Sequence, residues 1–443
     1  MFDELRPILP CTAEASREGD LLLGGVDVGT LAEAYGTPVI VYDAEHVRRA
    51  AQAWLDAFAN YPAGVLVAYA SKAFASVGIV RMLAELGLGA DVASEGELAV
   101  ALRAGVRPEL IVVHGNNKST TELAAAVDAG VGLIVVDAED ELELLARIAG
   151  ERGMRVQILV RVNPDIAVET HRYISTSHAG SKFGVSADVA ERMLLRARDL
   201  DAIDPLGVHV HLGSQLLDVT PWTSVLDWLG DWAVELRDRH ELELRTVDVG
   251  GGLGIAYAQE QVPPPPSAVA DAVSAALDRW VDRGLCRPDL VLEPGRSVVG
   301  SAAITLYRVG VVKETADDAI RYVNVDCGMS DNPRPVLYQA RYRALLPQRL
   351  QDPDDGSWWV AGVHCESGDV LIEDAVLPHP RRGDLLAVPA TGAYAASMAS
   401  TYNQVPRCAV VLVDAGTHRP LLRRETLEEL LTRDVDAQAA PGR

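Results

Sequence analysis

Reactive side chains recur in this chain at the ends of apolar runs, where they can converge on one cavity. The stretch "VLVAYASKAFAS" (65–76) delivers Lys72 at the carboxyl end of a strand-forming run. Lysine heads prefer water and mostly lie on surfaces, but an amine at the end of a buried strand can attack a carbonyl. "HVHLGSQ" (209–215) supplies His211 and Ser214, and "DVGGGLG" (248–254) supplies Gly250, Gly251 and Gly252. "EPGRSVVG" (293–300) supplies Glu293 and Arg296 around Pro294-Gly295, and "HCESGD" (364–369) supplies Cys365.

Each cluster alone has a plain reading. Three glycines can be a tight turn, or a backbone whose N–H groups converge on a phosphate. Glu293 and Arg296 can be a surface ion pair. Glu293 closes an apolar run, however, and a carboxylate aimed inward there needs a cationic partner, such as a protonated pyridinium nitrogen. His211 can be a satisfied core histidine or a flat stacking partner for an aromatic ring. Cys365 can be a packing cysteine or an acid that hands over a proton. Their shared placement after strand-like runs favours one joint reading. A lysine amine, a phosphate cradle, a carboxylate for a ring nitrogen and a stacking imidazole are the parts of a pyridoxal phosphate site, where the cofactor is the electron sink.

The elements that must position these residues are short apolar runs beginning at 65, 89, 111, 133, 157, 205, 246 and 290. They are apolar throughout, as expected of strands buried on both faces. Between them, "SEGELAVALRAG" (94–105) and "STTELAAAVDAG" (119–130) each open on a capping serine with a glutamate three residues on, and each closes on glycine. Eight such units predict an α/β fold, a (β/α)8 TIM-like barrel over 44–302 with its site where the strands end. An open doubly wound sheet is the alternative. From about 303 to 433 strands follow without regular helices, predicting a C-terminal β-domain that also takes in the N-terminal segment 1–43 through "PVIVYD" (38–43). "VPPPPS" (262–267) reads as a stiff surface loop, and 434–443 as a disordered tail.

The 443 residues carry 40 basic and 63 acidic side chains, a formal charge of −23. That balance argues against nucleic acid or an anionic membrane as partner. Five cysteines without paired spacing indicate neither a disulfide framework nor a zinc site, so no metal is expected. The N-terminus lacks a signal-peptide pattern and no run is long enough to span a bilayer, which predicts a soluble, cytoplasmic protein.

The ordered motifs "YASKAF", "HGNNKS", "SKFG", "HLGSQ", "DVGGGLGI", "EPGR", "DCGMSDNPRPVLY", "CESGD" and "GAYAASMASTYN" resemble those of the diaminopimelate decarboxylase family. That family lies within the alanine-racemase-like, fold type III pyridoxal phosphate enzymes, and the resemblance runs from about Leu21 to Glu428. It implies a carboxy-lyase that converts meso-2,6-diaminopimelate to L-lysine and carbon dioxide, the last step of lysine biosynthesis. By that resemblance Lys72 is the Schiff-base lysine. Ser214, Gly251, Gly252, Gly295, the Arg296 loop and Tyr394 surround the phosphate, His211 stacks on the ring and Glu293 meets its nitrogen. Asp91 and Arg161 support the cofactor.

The resemblance also implies that Arg296, Arg334, Tyr338, Glu366 and Tyr394 contact substrate and that Cys365 is the proton donor. Cys365 and Glu366 would reach into a partner's barrel, making a homodimer with shared sites the active unit. A guanidinium suits the distal carboxylate of such a substrate, and a carboxylate suits its distal ammonium. In "DCGMSDN", Cys327 stands where the family usually has glycine, and a small local adjustment is expected. The rival readings are a decarboxylase for a plain diamine-type amino acid, a non-catalytic pyridoxal phosphate carrier, and a cofactor-free class I aldolase.

Overall fold

The protein is described from a computed structural model covering residues 2–164, 181–314 and 320–438. The chain divides into two compact units, one of Met1–Val47, Ala256–Gln261 and Val298–Arg443, the other of Arg48–Ile255 and Val262–Ser297. Near the N-terminus β1 (Glu14–Ala15), β2 (Leu21–Leu23) and β3 (Val26–Asp27) form a small antiparallel sheet. They are followed by β4 (Val39–Asp43).

The second unit is the barrel. Its strands are β5 (Val65–Ala70), β6 (Gly89–Val92), β7 (Ile111–Val113), β8 (Leu133–Val136), β9 (Val156–Arg161), β10 (Ile203–His209), β11 (Thr246–Asp248) and β12 (Asp289–Leu292). All neighbours are parallel, and β12 pairs back onto β5, Leu290 opposite Val65. That closure excludes the open-sheet alternative. Ala68, Val112, Leu133, Val135, Leu159 and Val291 pack as one cluster, and β6, β7, β8 and β11 are buried at every residue.

The outer helices start and stop as their end residues dictate. Ser94 accepts from Glu97 N at the start of helix Glu95–Ala104, which ends on Gly105 at φ 90°. Ser119 and Glu122 form a complete capping box for helix Thr120–Ala129, which ends on Gly130 at φ 68°.

In the first unit, β13 (Ala303–Glu314), β14 (Arg321–Val325), β15 (Ser357–Ala361), β16 (Val370–Val376), β17 (Leu385–Pro389), β18 (Ala409–Asp414) and β19 (Thr417–Leu422) join β4 in one sheet. The N-terminal strand β4 lies antiparallel to β13 and parallel to β18. Leu21, Leu23, Val39, Val41, Ile304, Leu306, Val411 and Val413 share its core.

Several boundaries differ from the sequence reading. Segment 256–261 groups with the β-unit, where Ala256 enters its core and Tyr257 meets Tyr342 edge-on. Strands β16 and β19 were not foreseen. The latter is an exposed edge strand containing Pro420, so its sequence lacks burial periodicity. Of the stretch read as a loop, Pro266 and Ser267 already open helix Pro266–Asp282. Of the segment read as a disordered tail, Val435–Gln438 is a single helical turn, and residues 439–443 lie outside the described residues.

Candidate active site

The carboxyl ends of the barrel strands carry the reactive side chains. Lys72 sits in a 3-10 turn, Ser71–Ala73, directly after β5. Its Nζ lies 2.8 Å from Oδ2 of Asp91, a buried residue of β6. This carboxylate holds the amine at the barrel mouth, and the lysine side chain remains 44 % exposed.

Beneath it lies a dry cluster of acids and imidazoles. Glu293, one residue past β12, accepts a short hydrogen bond at Oε1 from Nε2 of His114, one residue past β7. Its Oε2 lies 3.6 Å from Nε2 of His209, the last residue of β10. Asp248, the last residue of β11, is fully buried and accepts from Gly250 N at 2.8 Å. Burial alone would raise the Glu293 carboxyl, but the His114 and His209 imidazoles outweigh it and hold it well below the usual carboxylate range. Asp248 moves well above that range, through burial and then the neighbouring Glu293 charge. The pair therefore resolves into an ionised Glu293 and a protonated Asp248. His209 is pushed down to about 3, chiefly by burial.

The ligand atoms of His114, His209, Asp248 and Glu293 lie within 4.8 Å of one another, a spacing that a cation could also use. With His114 donating its proton to Glu293, the arrangement is one of proton sharing.

The loops that follow β10, β11 and β12 offer donors. Gly250 and Gly252 hold φ of 66° and 113°, in the left-handed region that favours glycine. Gly251 has no room for a side chain: a Cβ there would stand 2.1 Å from the carbonyl oxygen of Glu293. Among the described residues, the N–H groups of Gly251 and Gly252 have no hydrogen-bond partner. Arg296 donates to Ser214 Oγ from Nη2 at 2.9 Å and from Nε at 3.3 Å. Gly295 lies against Ala70, its Cβ position 2.9 Å from that methyl.

His211 packs on the same glycine turn, since a Cβ on Gly250 would fall 2.7 Å from its Nδ1. Burial first, then the Lys72 charge, lowers its pKa well below the ordinary value and keeps the ring neutral. Arg161, at the end of β9, lies 3.8 Å from Asp137 and stacks 4.5 Å from the Phe183 ring. An amine, a buried anion at one end and a cradle of N–H, hydroxyl and guanidinium donors at the other fit a ligand with a carbonyl, a basic ring nitrogen and a phosphate. Pyridoxal phosphate has all three.

The remaining expected residues belong to the β-unit. Arg334 is 3 % exposed, donates to the Tyr342 hydroxyl, and lies over the Tyr257 ring at 4.8 Å. Tyr338 and Tyr394 are half-buried, Tyr394 at φ 64°. Cys365 and Glu366 are exposed on a loop that their neighbours hold firmly. Asp369 accepts from Met329 N at 2.7 Å and His364 N at 2.8 Å, and Asn403 Oδ1 accepts from Cys365 N at 3.1 Å. Cys327 is accommodated by burial, its Sγ 3.2 Å from Ser330 Oγ. Gly328 beside it is required, because a Cβ would fall 2.2 Å from Asp369 Oδ1.

The sequence reading assigned no role to His114, His209 or Asp248. Nor did it foresee the buried pair of Lys118 and Glu141, whose charged atoms are 2.8 Å apart. A signal for His209 was present, since residues two apart on a strand share a face and "HVH" places it below His211.

Comparison with known proteins agrees with this geometry. The family described as "Pyridoxal-dependent decarboxylase, pyridoxal binding domain" matches residues 44–300. A diaminopimelate decarboxylase of Halalkalibacterium halodurans is 42% identical over 427 residues, covering 96% of this chain and 97% of that protein. The crystal structure of diaminopimelate decarboxylase from M. jannaschii in complex with L-lysine superposes with a TM-score of 0.90 at 34% identity, covering 96% of this chain and 98% of that one. The Helicobacter pylori enzyme complexed with L-lysine gives a TM-score of 0.84 at 33% identity, covering 91% of this chain and 98% of that one. The chain belongs to the diaminopimelate decarboxylases, within the pyridoxal-dependent decarboxylase family.

Proposed function

We propose, from this family membership and the site's own chemistry, that the chain decarboxylates meso-2,6-diaminopimelate to L-lysine and carbon dioxide with pyridoxal phosphate. The observation that carries the reading is the split donor set. Lys72 is held by Asp91, the ionised Glu293 stands at the end of the neighbouring strand, and glycine N–H groups, Ser214 and Arg296 form a separate cradle. When bound, pyridoxal phosphate supplies the electron sink that cleavage of a carbon–carboxylate bond beside an amine requires.

The chain's own residues do the rest. Gly251, Gly252, Gly295, Ser214 and Arg296 bind the phosphate, with Tyr394 assisting. His211 would stack on the cofactor ring and Glu293 would meet its nitrogen, while Asp91 orients the Lys72 amine and Arg161 would support the cofactor from the end of β9. Arg334 and Tyr338 take the distal carboxylate of the substrate and Glu366 its distal ammonium. The carbon–carboxylate bond breaks, carbon dioxide leaves, and the Cys365 thiol returns a proton to the carbon left behind, giving lysine.

The active unit is a homodimer in which Cys365 and Glu366 serve the partner's barrel. Their exposure supports this, as do the exposed apolar side chains nearby in sequence or contact. Val363 is 55% exposed, and Tyr402, whose ring centroid lies 5.4 Å from that of His364, is 41% exposed. We assign the protein to the cytoplasm. The five cysteines, none of which is joined in a disulfide, fit a reducing compartment.

The test is an absorbance spectrum with pyridoxal phosphate, then addition of meso-diaminopimelate with assay of lysine and carbon dioxide. A yellow protein that forms both products in equal amount is expected. A yellow protein inert to this substrate would refute the assignments of Arg334 and Glu366, and failure to take up the cofactor would overturn the whole reading.

A further inference from the structure

The acid–imidazole cluster contains more than cofactor binding asks for. A lone glutamate would suffice to face a ring nitrogen, yet Glu293 lies in a space with two other carboxylates, Asp91 and Asp248, both fully or almost fully buried. Like charges at such range favour protonation of one member. His114 stands between them. Its Nε2 donates to Glu293 Oε1 and lies 3.8 Å from Oδ1 of Asp91, whose other oxygen holds Lys72. The ring is fixed from several sides. His114 N bonds to Val92 O at 2.8 Å, the His209 ring meets it edge-on at 4.8 Å, and Lys118 Nζ ties down the next peptide through Gly115 O at 2.6 Å.

We propose that His114 is a positioning residue that keeps the Glu293 carboxylate an anion in one orientation, and so sets the protonation of the ring nitrogen it faces. The proposal deepens the function proposed above and rests on it for the identity of the ring. The groups facing Glu293 are His114 from β7, His209 from β10 and Asp248 from β11. Asp91 from β6, Arg161 from β9 and His211, two residues past β10, bear on it from further away. Of these, His114 makes the direct hydrogen bond.

The test compares H114N, whose amide is too short to reach Glu293, with H114Q, whose amide nitrogen can replace Nε2. In cofactor-free protein near neutral pH, infrared difference spectra of H114N should gain a protonated-carboxyl band. That band should vanish when E293Q is added to the same background, and it should be missing from H114Q. In the loaded protein, the pH at which bound-cofactor absorbance changes should move by at least about one unit in H114N and return in H114Q. kcat should fall about tenfold or more while KM stays nearly constant. A carboxyl spectrum and pH profile in H114N equal to those of the unaltered protein would overturn the proposal. Because the infrared measurement needs no cofactor, the band appearing in a protein that takes up no pyridoxal phosphate would support the His114 role and sink the functional reading alone.

Discussion

The substitution Gly251→Ala tests the cradle most directly. An alanine Cβ would stand 2.1 Å from the carbonyl oxygen of Glu293 and 3.0 Å from its carbon, where 3.4 Å is ordinary contact. The two strand ends must separate by the difference, 3.4 less 2.1, or about 1.3 Å. The bonds in the way are Glu293 N to Gly250 O at 3.0 Å and Val249 N to Val291 O at 3.1 Å. Overpacking of this kind costs about 1–3 kcal/mol, a fall in Tm of roughly 2–12 °C for a unit of this size. It would also turn the N–H groups of Gly251 and Gly252 away from the proposed phosphate position. Loss of one hydrogen bond to a charged group costs about 1.5–3 kcal/mol, so the Kd for pyridoxal phosphate should rise roughly tenfold to a hundredfold. Absorbance titration with cofactor and thermal unfolding without it measure the two effects separately. Gly105→Ala, at a helix end with φ 90° and open space around it, is the control. It should lower Tm and leave Kd alone. A Gly251→Ala protein with unchanged Kd would refute the cradle.

Three further outcomes are expected. Lys118→Met leaves the buried Glu141 without its cation and should cost about 3–5 kcal/mol in urea unfolding, whereas Lys118→Met with Glu141→Leu should recover most of it; equal loss in both would deny the pair its role. His209 has its folded pKa at about 3, below the 6.5 of an ordinary histidine, so it contributes stability above pH 6.5 that is lost as pH falls through 3. Within that window each pH unit should cost about 1.4 kcal/mol, and His209→Gln should flatten the slope in unfolding measurements at stepped pH. Arg334→Met should lower kcat/KM for diaminopimelate at least about tenfold with cofactor absorbance intact; parallel loss of both would reassign the residue.

The barrel was legible because its strands are buried on both faces, so each appears as an unbroken apolar run whatever surrounds it. Capping residues marked the helices for an equally local reason. Polar positions carried less. "HGNNKS" showed His114 at the end of a strand, but its partner Glu293 lies 179 residues on and meets it only once the barrel closes. Strand β19 was missed because all but one of its side chains are exposed and no periodicity marks it. Segment 256–261 escaped because its packing partners, Tyr342 among them, lie far along the chain.

The choice of imidazoles in the cluster follows from the same burial. A lysine or arginine beside Glu293 would bring a fixed positive charge into a dry space, satisfy the carboxylate outright, and compete with a protonated ring nitrogen for it. An imidazole donates a directed hydrogen bond at little desolvation cost in its neutral form. Asp248 carries its own proton and adds no net charge beneath Glu293. The carboxylate at the end of β12 is therefore held by the His114 hydrogen bond, with the His209 ring nitrogen 3.6 Å away. In the function proposed above its cation would be a pyridinium, and the acid nearest Lys72, Asp91, is already engaged by the amine.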